Sequence, residues 1–285
     1  MTSSPPGSSE TPYARDAQGW SASLYNKTAA FVYSPAYTSA VLDLLAAKPG
    51  EKIIDLGCGS GEVTLVLDEI VKRAPGGLVV AVDYSESMIE KAKAAGLEHA
   101  FVSDVQDLEI PMTAYNNNDP EFKFDAAFSN AALHWCKRDP AGVLESVKKV
   151  LKPGGRLVVE MGGAMNCIGI RSGLHRVLKS HGYDPVSLDP WFFPSVEDYT
   201  KLLIEASFEP RHISITPRVT PIADGVRGWL ELFVRKSFLK DFSDAEATEI
   251  MNEVEDICRV DCQDTSGKWA MMYTRLRFEA ILKND

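Results

Sequence analysis

The sequence predicts an α/β fold built on a doubly wound, mostly parallel sheet, and three observations carry that prediction. The first lies in residues 52–71. A short β-branched run, Lys52-Ile53-Ile54, closes on Asp55 and Leu56, and Gly57, Gly59 and Gly61 follow at alternate positions. Glycines so spaced let the chain turn sharply and let a ligand approach bare main chain. Residues 62–71 then place Val63, Leu67, Ile70 and Val71 on one helical face. The second is the alternation of β-branched runs with helical patterns as far as Met161, the rhythm of a parallel sheet. The third is a change of pattern beyond Met161, to helices separated by two further strand-like stretches. The expected architecture is one seven-stranded sheet finished by the two late strands, with an inserted helical cap.

Each element has its own local reason. Residues 35–46 turn Val41, Leu42, Leu44 and Leu45 inward on a helix that ends at Lys48-Pro49-Gly50. Residues 78–82 form the second strand, closed by Asp83; Ser85 caps a helix over 86–95, and Gly96 stops it. Residues 100–102 are a third strand ending near Asp104. The polar run Asn116-Asn117-Asn118-Asp119-Pro120 breaks any regular element before the fourth strand at 124–129. Asp139 and Pro140 supply a cap and first-turn proline for a helix over 141–151. The turn Lys152-Pro153-Gly154-Gly155 stops it, and 156–161 is the fifth strand. Helices are then expected over 167–181, 197–207 behind Ser195, 225–238, and from a capping box at Ser243-Asp244-Ala245-Glu246 to about Arg259. Strands are expected over 209–219 and around 273–281. Residues 1–12 read as a disordered tail and 13–285 as a single domain. Its core takes 35–161, 196–221 and 269–285, its cap 162–195 and 222–268, and the ring-rich segment 13–34 is a lid.

Composition narrows the classes. The chain has 285 residues, 45% of them hydrophobic, and a net charge of −10, which argues against a broad phosphate-binding face for nucleic acid. No apolar run reaches the roughly 18–20 residues that span a bilayer. The Ser/Pro-rich start carries no apolar stretch, so it is no signal peptide. The five cysteines form no CxxC pair, and Cys258 and Cys262, one helical turn apart, have no histidine beside them. Reduced thiols in a cytoplasmic protein, with no metal, are the expectation.

The glycines read Gly57-x-Gly59-x-Gly61, not the Gly-x-Gly-x-x-Gly of dinucleotide folds, and Asp55 sits two residues before the first. With Asp83 and Asp104 closing the next two strands, and Lys152-Pro153-Gly154-Gly155 before the fifth, residues 44–161 resemble the class I S-adenosylmethionine-dependent methyltransferases. The resemblance implies S-adenosylmethionine as cofactor and no metal. It puts Asp83 on the ribose hydroxyls, Tyr84 and Met88 against the adenine, and Asp104 with Val105 at the adenine amino edge. Gly57 and Gly59 leave room for the methionine moiety, and Asp55 orients the loop. The stretch Phe128-Ser129-Asn130-Ala131-Ala132-Leu133-His134-Trp135 is similar to its counterpart in the trans-aconitate methyltransferase branch. Trp20-x-x-x-x-Tyr25 and Arg275-Leu276-Arg277-Phe278 also fit that branch. By that likeness Asn130 and Ala131 border the methionine moiety, and Tyr25 helps to close the cofactor pocket.

The acceptor chemistry stays open between classes. A carboxylate is already ionised at neutral pH and needs a cation to hold it. A phenol, with a pKa near 10, gains from a general base. His134, beside the cofactor by motif, suits either a base or a hydrogen-bond donor to the acceptor, or packs beneath Trp135. Arg171, His175 and Arg176 lie on the helix after the fifth strand, where Arg171 could clamp a carboxylate or face solvent. Trp191 with Phe192 and Phe193 could line the acceptor pocket, whereas Trp229 has the spacing of a core residue. O-methylation of a carboxylic acid is the leading expectation. Phenolic O-methylation with His134 as base is the alternative, and a non-catalytic cofactor-binding protein the third. The partners expected are a small-molecule acceptor, no nucleic acid and no membrane; the oligomeric state stays open, with a monomer slightly favoured.

Overall fold

The structure is a computed structural model that describes residues 35–111, 115, 116, 119 and 121–284. The tail, the ring-rich segment 13–34 and, with it, Tyr25 lie outside the described residues. A helix, α1 (Pro35–Leu45), leads into β1 (Lys52–Leu56), α2 (Glu62–Val71), β2 (Leu78–Asp83), α3 (Glu86–Ala94) and β3 (Ala100–Val102). Then come β4 (Phe124–Asn130), a 3₁₀ turn (Leu133–Trp135), α4 (Pro140–Val150) and β5 (Leu151–Gly162). The remainder is α5 (Ile168–Ser180), α6 (Pro185–Leu188), α7 (Val196–Glu205), β6 (Phe208–Pro221), α8 (Gly225–Phe233), α9 (Asp244–Cys262) and β7 (Ala270–Leu282).

The seven strands form one sheet in the order β3-β2-β1-β4-β5-β7-β6. The first five run parallel, and β7 lies antiparallel between β5 and β6. The order reverses at β1 and β4, which opens a crevice at their carboxyl ends. One face packs Val41 and Leu45 of α1 and Val63 and Leu67 of α2 against Ile53, Val79 and Phe128. The other packs Val143, Leu144 and Val147 of α4 and Tyr199 and Leu203 of α7 against Ile54, Val80, Leu157 and Phe278. Arg156 ties α1 to the sheet, donating from Nε to the Leu45 carbonyl at 2.9 Å and pairing in a fork with Glu51. Helices α5, α8 and α9 form a separate cluster that includes Leu174, Trp191, Trp229, Leu230, Ile250 and Val254, together with Met271 and Tyr273 of β7.

The local signals act as expected at the helix starts. Ser85 accepts from the Met88 amide, Asp139 from the Gly142 amide, and Ser195 with Asp198 forms a reciprocal capping box. Strands β6 and β7 each run on by one to three residues at their ends, and three other boundaries differ for a local reason. Strand β5 starts at Leu151, because Leu151 pairs with Phe124 before a register shift carries the glycine turn outward. Helix α8 stops at Phe233, where the Arg235 guanidinium takes the Leu239 and Phe242 carbonyls and holds a non-helical turn. Helix α9 runs on to Cys262, since Cys258 and Cys262 continue its buried face.

Candidate active site

The loop after β1 is held from β2. The Gly57 and Cys58 amides both donate to the Val82 carbonyl, at 2.8 and 2.9 Å. Asp83 then closes the turn: Oδ2 accepts from the Gly59 amide and Oδ1 from the Ser85 amide, each at 2.9 Å. Gly57 has φ +79°, and a Cβ there would lie 2.2 Å from the Ala132 Cβ, so the bare loop packs directly against the Ala132 side chain just beyond β4. Asp55 is buried beneath this loop and accepts from Thr64 Oγ1 at 2.7 Å. Burial pushes its pKa up to about 7; the Thr64 hydrogen bond opposes the shift, and the Asp83 charge adds to it. A cation brought to this loop would favour the ionised form.

A cavity of about 390 Å³ opens above these strand ends, lined by Gly57, Asp83, Tyr84, Asp104, Val105, Ala132, Trp135 and Arg138, among others. The size is that of a small-molecule or cofactor site. Asp104 accepts from the Gln106 amide at 2.9 Å and pairs with Arg138 Nη2 at 2.6 Å. Partial burial raises its pKa, but the Gln106 and Arg138 contacts outweigh it and hold the carboxyl below the usual range.

The chain leaves β4 in a left-handed turn at Ala131, φ +60°, whose amide donates to the Glu160 carbonyl at 2.7 Å. Beyond it the two alanines part: Ala132 lines the large cavity, and Ala131 lines a second, smaller one of about 50 Å³. Trp135 and Phe233 line both. The smaller cavity is also walled by His134, Trp191, Phe193, Trp229, Tyr273, Arg218 and Arg275. His134 is buried on the 3₁₀ turn with its ring 5.7 Å from those of Trp135 and Phe193. Its Nδ1 accepts from the Gly162 amide at 3.3 Å, which leaves the ring proton on Nε2. Burial, with the Arg275 charge adding, pushes its pKa down to about 3. Near neutrality His134 is an uncharged donor and a poor base.

The family model for a methyltransferase domain matches residues 47–181. An uncharacterized methyltransferase of Schizosaccharomyces pombe is 32% identical over 269 residues, covering 92% of this chain and 97% of its own. The chain belongs to the class I S-adenosylmethionine-dependent methyltransferases. The trans-aconitate 2-methyltransferase of Escherichia coli is 31% identical over 229 residues, 74% of this methyltransferase and 81% of that protein. The demethylmenaquinone methyltransferase of Thermus thermophilus is also 31% identical over 229 residues, 72% of this chain and 95% of its own.

The sequence-derived residues of the methyltransferase fall into three groups. Gly57, Asp83, Tyr84, Asp104, Val105 and Trp135 meet at the large cavity, while Ala131, His134, Trp135 and Trp191 meet at the small one. Asp55 lies beneath the loop, and Gly59 contributes its amide to Asp83. The structure does not bring Met88, Asn130 or Arg171 to either cavity wall. Met88 lies on the buried face of α3, and Asn130 ends β4 opposite Glu160. Arg171 is taken by Asp189, its Nε donating to Oδ2 at 2.7 Å. That carboxylate is buried; its Oδ2 also lies 2.9 Å from His175 Nε2, and its Oδ1 accepts from the Trp191 amide. Arg171 thus braces the turn that carries Trp191. Trp229 serves both as a core residue and as cavity wall, with Nε1 donating to Tyr273 Oη at 2.6 Å. Sequence reasoning missed Arg138, Phe233 and Arg218. Only the Arg275-Leu276-Arg277-Phe278 motif pointed toward Arg275. Among the described residues there is no group of three or more metal-ligating side chains, and no helix long and apolar enough to cross a membrane.

Proposed function

We propose that this methyltransferase methylates a small organic acid at a carboxylate oxygen. One observation carries the reading: the small cavity presents two guanidinium groups and a neutral His134, and its described walls include no carboxylate. An acid acceptor needs cations to hold the molecule and no base to activate its ionised oxygen, whereas a phenol gains most from the base that His134 cannot supply. The relative named for trans-aconitate supports the same class; the aromatic walls suit a phenolic acceptor as well, but His134 offers it no base.

In this reading Asp83 holds the ribose hydroxyls and Tyr84 faces the adenine, with Asp104 and Val105 at its amino edge. Gly57 and Gly59 leave space for the methionine moiety over Asp55. These residues fit the cofactor, because a strand-end carboxylate, Asp83, and the bare main chain at Gly57 meet at one cavity wall. S-adenosylmethionine supplies an electrophilic methyl group on a sulfonium. An ionised carboxylate could accept that methyl group without any residue of the chain having to take a proton. What the chain contributes is alignment and exclusion of water. The His134 Nε2–H is placed to orient the acceptor from the side wall.

Labelled S-adenosylmethionine with a panel of di- and tricarboxylates, phenolic acids and fatty acids tests the reading. A base-labile labelled ester is expected; a base-stable product, or labelling of phenols alone, would overturn it.

A second expectation concerns pH. The His134 conjugate acid, with a pKa of about 3, is absent from pH 6 to 9, so His134→Ala should lower kcat by roughly tenfold through the lost donor and leave the profile's shape unchanged. A limb near pH 6.5 that disappears in the variant would restore the base. The same shift acts on stability. The unfolded histidine binds a proton below 6.5 and the folded one only near 3, so this residue's contribution to stability falls as pH drops through that window.

A further inference from the structure

The antiparallel placement of β7 between β5 and β6 gathers three guanidinium groups on one buried carboxylate. Glu160 of β5 lies opposite Arg277, and Arg275 is two residues away on the same face of β7. Arg218 reaches over from β6, where it pairs with Tyr273. Arg277 Nε donates to Glu160 Oε2 at 2.8 Å, Arg275 Nε donates to Oε1 at 3.3 Å, and Arg218 Nη1 is 3.8 Å from Oε1. The Glu160 side chain is 1% exposed and that of Arg275 is 7% exposed. Three cations against one anion leave a formal excess of two positive charges, and among the described residues no other acid pairs with these arginines.

Half-buried positive charge of this kind is costly until a counter-charge arrives. Two of the three arginines, Arg218 and Arg275, wall the small cavity, and Arg277 does not. The Arg218 Nε–H is buried and meets no acceptor among the described residues. Tyr37 holds the guanidinium from beneath, 4.2 Å from ring centre to Cζ. Burial, and then the neighbouring Arg275 charge, lowers the Arg218 pKa, a field that an incoming anion would relieve.

A carboxylate gripped by two guanidiniums has its lone pairs committed to hydrogen bonds and is a weak nucleophile. The gripped group and the methylated group are therefore different groups of one acceptor. We infer that Arg218 and Arg275, tethered by Glu160, hold a second, non-reacting anionic group of the acceptor, so that the preferred substrate carries at least two negative charges. The inference rests on reading the small cavity as the acceptor's.

Sulfate serves as the probe, because Trp135, Trp191 and Trp229 wall the same cavity and report occupancy by their fluorescence. With S-adenosylhomocysteine bound, titration of the protein with sulfate should give a saturable change that sodium chloride at equal ionic strength does not. Arg218→Gln should weaken the sulfate midpoint by roughly tenfold, and Arg218→Lys, which keeps the charge and loses the fork, should fall between. Unchanged affinity of both variants for S-adenosylhomocysteine shows that they are folded. No saturable response in the wild type, or an equal one in Arg218→Gln, overturns the inference. Neither result bears on whether the labelled product is an ester, so the two readings fail separately.

Discussion

Asp83→Ala is expected to weaken cofactor binding by about ten- to a hundredfold, read by calorimetry with S-adenosylhomocysteine. The carboxylate acts twice. It accepts the Gly59 and Ser85 amides that shape the loop, and in the proposed role it also takes the ribose hydroxyls. Hydrogen bonds to a charged acceptor are worth about 1.5–3 kcal/mol each, and about 1.4 kcal/mol is tenfold in affinity, so losing even one ribose contact reaches the lower figure. The same variant carries an internal check. Because the Asp83 charge is one of the causes raising the Asp55 pKa to about 7, its removal should lower that titration, visible by carboxyl NMR. Wild-type affinity in Asp83→Ala would sink the ribose assignment.

Gly57→Ala should destabilise the fold and the cofactor loop together. The residue has φ +79°, and its Cβ would overlap the Ala132 Cβ at 2.2 Å. The left-handed backbone costs an L-residue about 1–2 kcal/mol and overpacking typically about 1–3 kcal/mol more, a combined loss of roughly 2–5 kcal/mol. Gly76→Ala is the matched control, since Gly76 has φ +85° and nothing within 4 Å of the added carbon. Thermal unfolding should show the larger drop in Tm for Gly57→Ala; equal drops in the two variants would mean that the contact with Ala132 yields at little cost.

The parallel half of the fold was legible because its signals are local. β-Branched runs, the Ser85 and Asp139 caps and the glycine turn each specify a few residues of backbone, and the strand-end residues Asp83 and Asp104 follow from them. What converges from afar was not legible. Arg275 and Glu160 are 115 residues apart in sequence, and only the antiparallel return of β7 sets one over the other. Arg218 lies in a strand whose alternation reads the same whether its outer face meets water or a cavity. The role of His134 turned on burial and on the Gly162 amide, neither of which its neighbours in sequence reveal. Arg171 has the right chemistry for a clamp, yet Asp189, 18 residues on, takes its guanidinium first. Residue type suggested the chemistry in each case, and the fold decided the partner.

Strand β7 passes through two of the protein's apolar interiors. Met271 and Tyr273 belong to the interior of α5, α8 and α9, whereas Leu276, Phe278, Ala280 and Leu282 belong to that of the sheet. One ladder with β6, with a register shift only at Pro210/His212, spans the two, and Arg275, between them, walls the small cavity. In the proposed role of that cavity, a swing of these helices away from the sheet would strip Met271 and Tyr273 of their packing. Rearrangement of the aromatic side chains that wall the cavity leaves the ladder intact and is the expected route for the acceptor.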